Sequence, residues 1–234
     1  MKQALFSQYF GIGDVIFAQG VANKFTQEGY KITWPVMPHF VDGLSVAYPH
    51  IKFLPHTIFD ETLFDIKSDV VAKGIRIVPI RWADQILGVP PAQWMRAKYD
   101  LYGLDYKKWK LHAEYKRNII REKTLAAVYG VRKNEDFVLV NNLYNSELSG
   151  KRDILVNTDL KVINMRHIEG YSLFDYSWMI ENATEIHVVN SSILYLLELL
   201  DYKARHIHIY AGPTENGGFP HVDYLMTKNY ILHS

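Results

Sequence analysis

The feature that most constrains this chain is a glycine-rich turn close to its start. An apolar run over residues 3–9 is typical of a β-strand, and the sequence Gly11-Ile12-Gly13-Asp14 follows it. A helical pattern then begins, with apolar residues at three- and four-residue spacing from Val15 onward. A helix that starts at the carboxyl end of a strand is a common ligand site in α/β folds, because its free N–H groups face the opening. The turn therefore predicts an α/β fold with a binding site near its N-terminus.

The acid in this turn has two interpretations. Asp14 stands where its carboxylate would cap the first helix, since aspartate is a preferred N-terminal cap. It also follows an open Gly-x-Gly backbone, which lets a ligand approach closely. A carboxylate there is suited to act as a general base on a hydroxyl group if the site excludes water. Both a cap and a base are therefore open at this point.

The turn lacks the marks of a nucleotide-binding loop. A dinucleotide fingerprint needs a third glycine, where this chain has Ile16, and an acid after the second strand, where it has Met37-Pro38-His39. The turn is also not followed by the lysine of a phosphate-binding loop. A plain nicotinamide-dependent oxidoreductase and a nucleoside triphosphatase are therefore disfavoured.

Strand and helix patterns alternate in two successive halves of the chain. After the opening strand, the first half predicts strands at residues 31–37, 51–54 and 75–80, the order of a parallel sheet covered by helices. The second half predicts strands at residues 137–142, 161–165, 185–190 and 206–210. Residues 105–129 have helical composition and are expected to form one long helix that bridges the halves. We therefore expect an α/β chain of two Rossmann-like domains, residues 1–125 and residues 126–234.

Polar residues collect where the predicted strands of the second half end. Asn190, Ser191 and Ser192 stand at a strand-to-helix junction, where hydroxyls, an amide and free N–H groups suit a diphosphate. The same residue types are also preferred helix caps, so that interpretation stays open. Further candidates for holding a phosphorylated ligand and its ribose are Asn142, Lys151, Arg152, Arg166 and Glu169, each of which has an ordinary solvated side chain as its alternative.

Composition excludes several classes of site and partner. The 234 residues include no cysteine, which rules out disulfides, thiolate nucleophiles and cysteine-based metal sites. The 26 basic and 25 acidic residues nearly balance, so no nucleic-acid partner is expected. No apolar run is long enough to predict a membrane span, and a cytoplasmic location is expected. The ten histidines show no obvious ligand spacing, and His206 and His208 are interpreted as structural, so no metal site is expected.

Several of these motifs together resemble one enzyme family. The turn at Gly11-Ile12-Gly13-Asp14 resembles the N-terminal signature of the ADP-heptose:lipopolysaccharide heptosyltransferases. Residues 31–40, with the strand after Pro49, are similar to the second βα unit of that family. Residues 172–192 resemble its helix, strand and turn at the donor site, and residues 209–214 resemble the next strand with its Gly-Pro-Thr end. Similar layouts occur in other GT-B glycosyltransferases, including fucosyltransferases.

The resemblance implies two Rossmann-like domains that face each other across a cleft, the arrangement called GT-B. It implies that Asp14 is the catalytic base, with Gly11, Gly13 and His39 on the acceptor side of the N-terminal domain. It implies that Asn190-Ser191-Ser192 and its neighbours hold the donor in the C-terminal domain. The family usually has Asp-Ser/Thr-Gly at this last turn and a histidine in the next helix, where this chain has Tyr195, which leaves the donor sugar open.

From these observations we expect a glycosyltransferase that moves a hexosyl or heptosyl group from a nucleotide-sugar to a hydroxyl of a glycan or glycolipid. The transfer is expected to be inverting and independent of metal, with the nucleotide-sugar as co-substrate and no cofactor. Helix N–H groups and a nearby cation would stabilise the leaving diphosphate in place of a metal. Two alternatives stay open: a nucleotide-sugar epimerase or hydrolase, and a non-catalytic module that binds nucleotide-sugars.

Overall fold

Two parallel sheets form the framework of the chain, one in each half. The computed structural model describes residues 2–8, 11–56, 74–143, 152–211 and 222–234. These residues divide into two units, Met1–Lys116 and Arg117–Ser234, and each unit contains one sheet. The expected fold class, α/β with two parallel sheets, is confirmed.

The first unit has a four-stranded sheet in the order β3-β2-β1-β4. Its strands are β1 (Lys2–Phe6), β2 (Tyr30–Val36), β3 (Lys52–Pro55) and β4 (Arg76–Val78), and all the pairings are parallel. Its helices are α1 (Ile12–Phe17), α2 (Gln19–Gln27), α3 (Val41–Ala47), α4 (Ala83–Leu87) and α5 (Trp94–Asp100). Short 3-10 helices lie at Pro38–Phe40, Ile80–Trp82, Pro91–Gln93 and Tyr106–Leu111. The strand order reverses between β1 and β4, which is the point where open α/β sheets bind ligands.

Aromatic side chains hold α2 against the centre of this sheet. The Phe6 ring on β1 lies 4.8 Å from the Trp34 ring on β2 and 5.5 Å from the Phe25 ring on α2, measured between ring centroids. All three side chains are buried. Pairs with this spacing contribute about 0.5–1.5 kcal/mol each beyond the area that they bury. The packing fixes the carboxyl end of β1, from which the glycine-rich turn leaves the sheet.

The second unit has a five-stranded sheet in the order β6-β5-β7-β8-β9. Its strands are β5 (Phe137–Asn141), β6 (Lys161–Asn164), β7 (Glu185–Val189), β8 (His206–Tyr210) and β9 (Ile231–His233), all parallel. Its helices are α6 (Ile119–Val128), α7 (Ser177–Asn182), α8 (Ile193–Leu199) and α9 (Val222–Leu225), with a 3-10 helix at Leu173–Tyr176. All five residues of β5 are buried, as expected of a central parallel strand. Here the strand order reverses between β5 and β7.

The expectation of one long helix over residues 105–129 is wrong. Only Tyr106–Leu111 forms a 3-10 helix, and α6 begins at residue 119. The segment between them bonds to the first unit instead, because the Lys116 N–H donates to the Ala47 carbonyl at 2.8 Å. The Asn118 side chain then caps α6 by accepting from the Arg121 N–H at 3.2 Å. Tertiary hydrogen bonds and a new cap therefore override the helical composition, and the division between the units lies within this break.

Candidate functional site

The glycine-rich turn places one carboxylate at the reversal point of the first sheet. Gly11 has φ +73°, the left-handed conformation that favours glycine, and it is the N-cap of α1. A Cβ at this position would collide with the Asp14 carboxylate, which folds back over the turn. Asp14 itself is not the cap, and no side chain caps α1. The glycine is therefore required both for the turn and for the position of the acid.

The partner of this acid is a lysine from a distant part of the sequence. The Lys98 ammonium forms an ion pair with the Asp14 carboxylate and lies 3.3 Å from the Gln8 side-chain oxygen. It also lies 4.2 Å from the centre of the Trp94 ring, within range of a cation–π contact. The Lys98 side chain is completely buried, and that of Asp14 is 13% exposed. The acid is thus the member of the pair that solvent or a ligand can reach.

Burial and pairing act in opposite directions on this ion pair. Burial raises the pKa of the Asp14 carboxyl above its ordinary value, while the nearby Lys98 charge opposes the rise. Burial also lowers the pKa of the Lys98 ammonium, and the Asp14 charge opposes that change. A carboxylate whose pKa is raised is a stronger base than an exposed aspartate. The lysine orients it and favours its ionised form.

A close contact between α2 and α5 positions Lys98 beside Asp14. Tyr99, the neighbour of Lys98 on α5, lies directly against Gly20 on α2, and its hydroxyl donates to the Phe17 carbonyl at 2.7 Å. A Cβ on residue 20 would lie 2.5 Å from the Tyr99 hydroxyl oxygen. The absence of a side chain at residue 20 therefore sets the distance between the helices, and so the reach of Lys98 toward Asp14.

Gly20→Ala is expected to reduce the free energy of unfolding by about 1–3 kcal/mol, the usual cost of overpacking. The tyrosine cannot move away easily, because its ring is completely buried and its hydroxyl is bonded. Chemical denaturation of the purified variant measures the effect. Gln27→Ala, at an exposed position of the same helix, is the matched control and should stay within about 0.5 kcal/mol of the parent. An unchanged or increased stability in Gly20→Ala would contradict the contact, since alanine is otherwise the better helix former.

The two other acceptor-side candidates lie on different elements. Gly13 is buried within the first turn of α1. His39 is exposed on the 3-10 helix after β2, and its ring lies 4.1 Å from that of Phe40. It follows the strand next to β1, at the same carboxyl edge of the sheet as Asp14. Their roles stay predictions.

The reversal point of the second sheet brings two predicted polar regions together. The Asn141 side chain, at the end of β5, donates to the Ser191 hydroxyl at 3.2 Å. Ser191 follows β7, and Asn190 ties the same turn to β8 through a 2.8 Å bond from its N–H to the Tyr210 carbonyl. Asn190, Ser191 and Ser192 are all half-buried, as is Asn142 directly after β5. Amides and hydroxyls thus line the place where a doubly wound sheet holds its ligand.

Arg152 adds a cation at the same edge of this sheet. Its backbone N–H donates to the Asn142 carbonyl at 3.0 Å, which holds it beside the end of β5. Its guanidinium donates to the Ala211 carbonyl at 2.9 Å and to the Ser234 carbonyl at 3.1 Å, after β8 and β9. It also lies 5.4 Å from the centre of the Tyr210 ring. These bonds hold the guanidinium at the carboxyl edge of the sheet, near the ends of β5, β8 and β9.

The remaining candidates are placed less tightly, or lie outside the described residues. Arg166 follows β6; its backbone bonds the hydroxyls of Tyr129 and Tyr176, while its side chain is exposed over the Tyr129 ring. Glu169 is exposed farther along the same loop. Lys151 and residues 212–214 lie outside the described residues, so their predicted part in donor binding stays a prediction.

Sequence reasoning missed Lys98 as a site residue. It stands 84 positions after Asp14 in an ordinary helical pattern, and nothing in that pattern separates it from a solvated lysine. Ala97 and Tyr99, the neighbours of Lys98, are also buried. A helix with one exposed face would not bury three consecutive residues, so periodicity alone does not predict the burial of Lys98.

The described ranges contain no helix that is both long and apolar enough to cross a membrane.

Comparison with known proteins supports the fold at very low sequence identity. No protein-family model and no curated protein matches the sequence. A family 9 glycosyl transferase from Veillonella parvula has a similar structure, with a TM-score of 0.54 and 10% identity over 99% of this chain and 86% of its own. ADP-heptose lps heptosyltransferase II of E. coli also has a TM-score of 0.54, with 11% identity over 100% of this chain and 90% of its own. At such identities the likeness concerns the fold, and both of these structures belong to glycosyltransferases.

Proposed function

We propose that this chain is a metal-independent, inverting glycosyltransferase that uses a nucleotide-sugar donor and a hydroxyl acceptor. The observation that carries the proposal is the buried Asp14–Lys98 pair at the reversal point of the first sheet, with the acid on its accessible side. The fold shared with two glycosyltransferases supports it. The proposal requires that the carboxyl edges of the two sheets share one cleft, as the resemblance implies.

In the proposed reaction, Asp14 accepts the proton of the acceptor hydroxyl while the hydroxyl oxygen attacks the anomeric carbon. The new C–O bond forms as the bond from that carbon to the donor phosphate breaks. The electron pair leaves with the nucleoside diphosphate, and the proton stays on the Asp14 carboxyl until solvent removes it. One base and one displacement invert the anomeric centre. The raised pKa of Asp14 suits it to this step, and Lys98 holds it ionised beforehand.

The proposed donor site is the reversal point of the second sheet. Asn141 and Ser191 supply an amide and a hydroxyl there, and Arg152 supplies a positive charge at the same edge. These groups would stabilise the charge that develops on the leaving diphosphate, which is the part played by a metal ion in other transferases. Asn142, Ser192, Arg166 and Glu169 follow neighbouring strands and are proposed to contact the rest of the donor, with Lys151 as a further cation.

The first experiment is a thermal-shift screen with UDP-, GDP- and ADP-sugars, followed by product analysis with and without an acceptor. At a donor concentration of about 100 times Kd, binding adds about 2.7 kcal/mol. For a chain of this size that gain raises Tm by about 5–10 °C. The donor that raises Tm should transfer its sugar to a glycan or glycolipid acceptor, at a rate unchanged by added Mg²⁺ or Mn²⁺.

The same screen separates the alternatives. Release of free sugar without an acceptor would indicate a hydrolase, and an altered sugar still attached to its nucleotide would indicate an epimerase. A raised Tm with no turnover under any condition would indicate a binding module. No shift with any of the nucleotide-sugars would contradict the proposal itself.

A further inference from the structure

Two neighbouring strands of the second sheet bring a carboxylate and two imidazoles to one face. Glu185 and His187 are two residues apart on β7, so their side chains point to the same side of the sheet. His208 on β8 is the direct register partner of His187. Their rings are stacked with centroids 4.3 Å apart and planes within 3° of each other. The parallel pairing of β7 and β8 thus assembles a group that no local spacing in the sequence reveals.

The potential ligand atoms of these residues lie close together. The Glu185 Oε1 atom lies 2.7 Å from His187 Nε2 and 3.3 Å from His208 Nε2. All three ligand atoms lie within 4.8 Å of one another. In a tetrahedral zinc site with bonds of about 2.0–2.1 Å, ligand atoms are about 3.3 Å apart. One of the two spacings already matches, and the other needs a widening of about 0.6 Å with a tilt of the stacked rings.

The other ring nitrogens of both histidines are held by neighbouring side chains. His187 Nδ1 lies 3.0 Å from the Tyr210 hydroxyl, and His208 Nδ1 lies 2.8 Å from His233 Nε2. Metal-binding histidines almost always donate their second N–H in this way, which fixes the ring and leaves the first nitrogen free to coordinate. These partners come from β8 and β9, and Tyr210 and His233 are themselves in register. The outer support of a metal site is therefore present on both imidazoles.

Exposure and ligand type indicate which ion would fit. The side chains of His187, His208 and Glu185 are 6%, 18% and 31% exposed, so the cluster is buried at one end and open at the other. Two nitrogens and one carboxylate oxygen suit Zn²⁺ and related transition metals, whereas Mg²⁺ prefers oxygen ligands. Three protein ligands with one open side leave room for a water molecule as the fourth ligand.

We propose that Glu185, His187 and His208 form a binding site for a divalent transition metal ion, and that Zn²⁺ is the ion best suited to it. The site ties β7 to β8 across the sheet face. Asn190, where the proposed donor turn starts, lies about 16 Å along the strand from Glu185 and about 10 Å from His187. The proposed sugar transfer uses none of these three residues and needs no metal, while Tyr210 contacts both His187 and Arg152. Without a metal, Glu185 Oε1 instead accepts a hydrogen bond from His187 Nε2 and lies 3.3 Å from His208 Nε2.

Direct metal titration tests this proposal independently of any enzyme activity. The full-length protein is stripped with a chelator, dialysed and titrated with Zn²⁺ against a chromophoric competitor. We expect one equivalent to bind with a Kd of about 1 μM or below, and Mg²⁺ not to compete. Co²⁺ in place of Zn²⁺ should give the visible absorption of a low-coordinate cobalt site. His233→Ala removes an outer partner and should weaken Zn²⁺ binding by roughly 10–100-fold. His187→Ala and His208→Ala each remove a ligand and should weaken Zn²⁺ binding by more than that.

Two further variants keep the outcome decisive. His167→Ala, an exposed histidine outside the cluster, should bind Zn²⁺ like the parent. Glu185→Gln preserves the shape of the site but removes its charge, so it should weaken Zn²⁺ binding at least about tenfold. Its circular dichroism spectrum should be unchanged. This variant tests the proposal even if the histidine variants do not fold. The proposal is overturned if the parent binds no stoichiometric Zn²⁺, or if Glu185→Gln binds Zn²⁺ as tightly as the parent, or if His167→Ala weakens binding as much as His187→Ala does.

Discussion

Asp14→Asn is expected to lower the rate of sugar transfer by about 10²–10⁴-fold, the usual contribution of a general base. The amide keeps the size of the side chain and can still accept a hydrogen bond from Lys98, but it cannot take up the proton of the acceptor. The rate is measured with the donor that the thermal-shift screen identifies. Because the donor is proposed to bind the second unit, that donor should still raise the Tm of the variant.

The controls for Asp14→Asn address folding and charge. Glu28→Gln removes an exposed acid at the C-terminal end of α2 and should transfer sugar at the parental rate. The near-ultraviolet circular dichroism spectrum of Asp14→Asn reports whether the aromatic core of the first unit is intact. Parental transfer by a folded Asp14→Asn variant would exclude Asp14 as the base.

Lys98→Met is expected to destabilise the protein by about 3–5 kcal/mol at neutral pH, the cost of leaving a buried charge without its partner. Methionine fills most of the space of the lysine stem, so the effect comes mainly from the unpaired Asp14 carboxylate. Equilibrium denaturation in urea measures it. The double variant Asp14→Asn/Lys98→Met removes both charges and should recover most of the loss. Equal losses in the single and double variants would mean that packing of the lysine stem, rather than its charge, is what matters.

The pH dependence of Lys98→Met distinguishes a positioning residue from a merely structural one. Lys98 lowers the pKa of Asp14, so its removal raises that pKa further. The proposed transfer depends on the ionised acid, and the rising limb of the pH–rate profile should therefore move to higher pH in the variant. The free energy of unfolding also depends on pH. When the pKa of a carboxyl is raised in the folded state, the protein loses stability as pH rises through that folded-state pKa. The deficit of the variant should thus shrink in acid and grow toward neutral pH, whereas an unmoved rate profile would contradict the role of Lys98.

Periodicity and turn residues predict most of the framework of this protein. The strand β8 has the predicted bounds, and seven others lie within a few residues of the predictions, because apolar runs bounded by turn residues mark buried parallel strands. The short strand β9 was not predicted, since Ile231–His233 has only three residues and is largely exposed. The prediction of a long bridging helix is wrong because a hydrogen bond to α3 and a new cap at Asn118 compete with helical composition.

The sites could be predicted only where one local segment contains them. The turns at Asp14 and Ser191 are visible because a strand end, polar residues and a helix start are contiguous. Lys98 and the cluster of Glu185, His187 and His208 depend on which helix packs on which, and on strand register, neither of which a single sequence displays. For Lys98 the missing information is the contact between Gly20 and Tyr99.

The late position of Lys98 in the chain has a consequence for synthesis. While the polypeptide emerges from the ribosome, the segments that form β1, α1 and α2 appear long before α5, which must still be made and then pack against α2 through Tyr99 and Gly20. Until then the acid at residue 14 lacks the Lys98 countercharge. The ion pair of the proposed base is therefore completed only when α5 docks, late in the synthesis of the first unit.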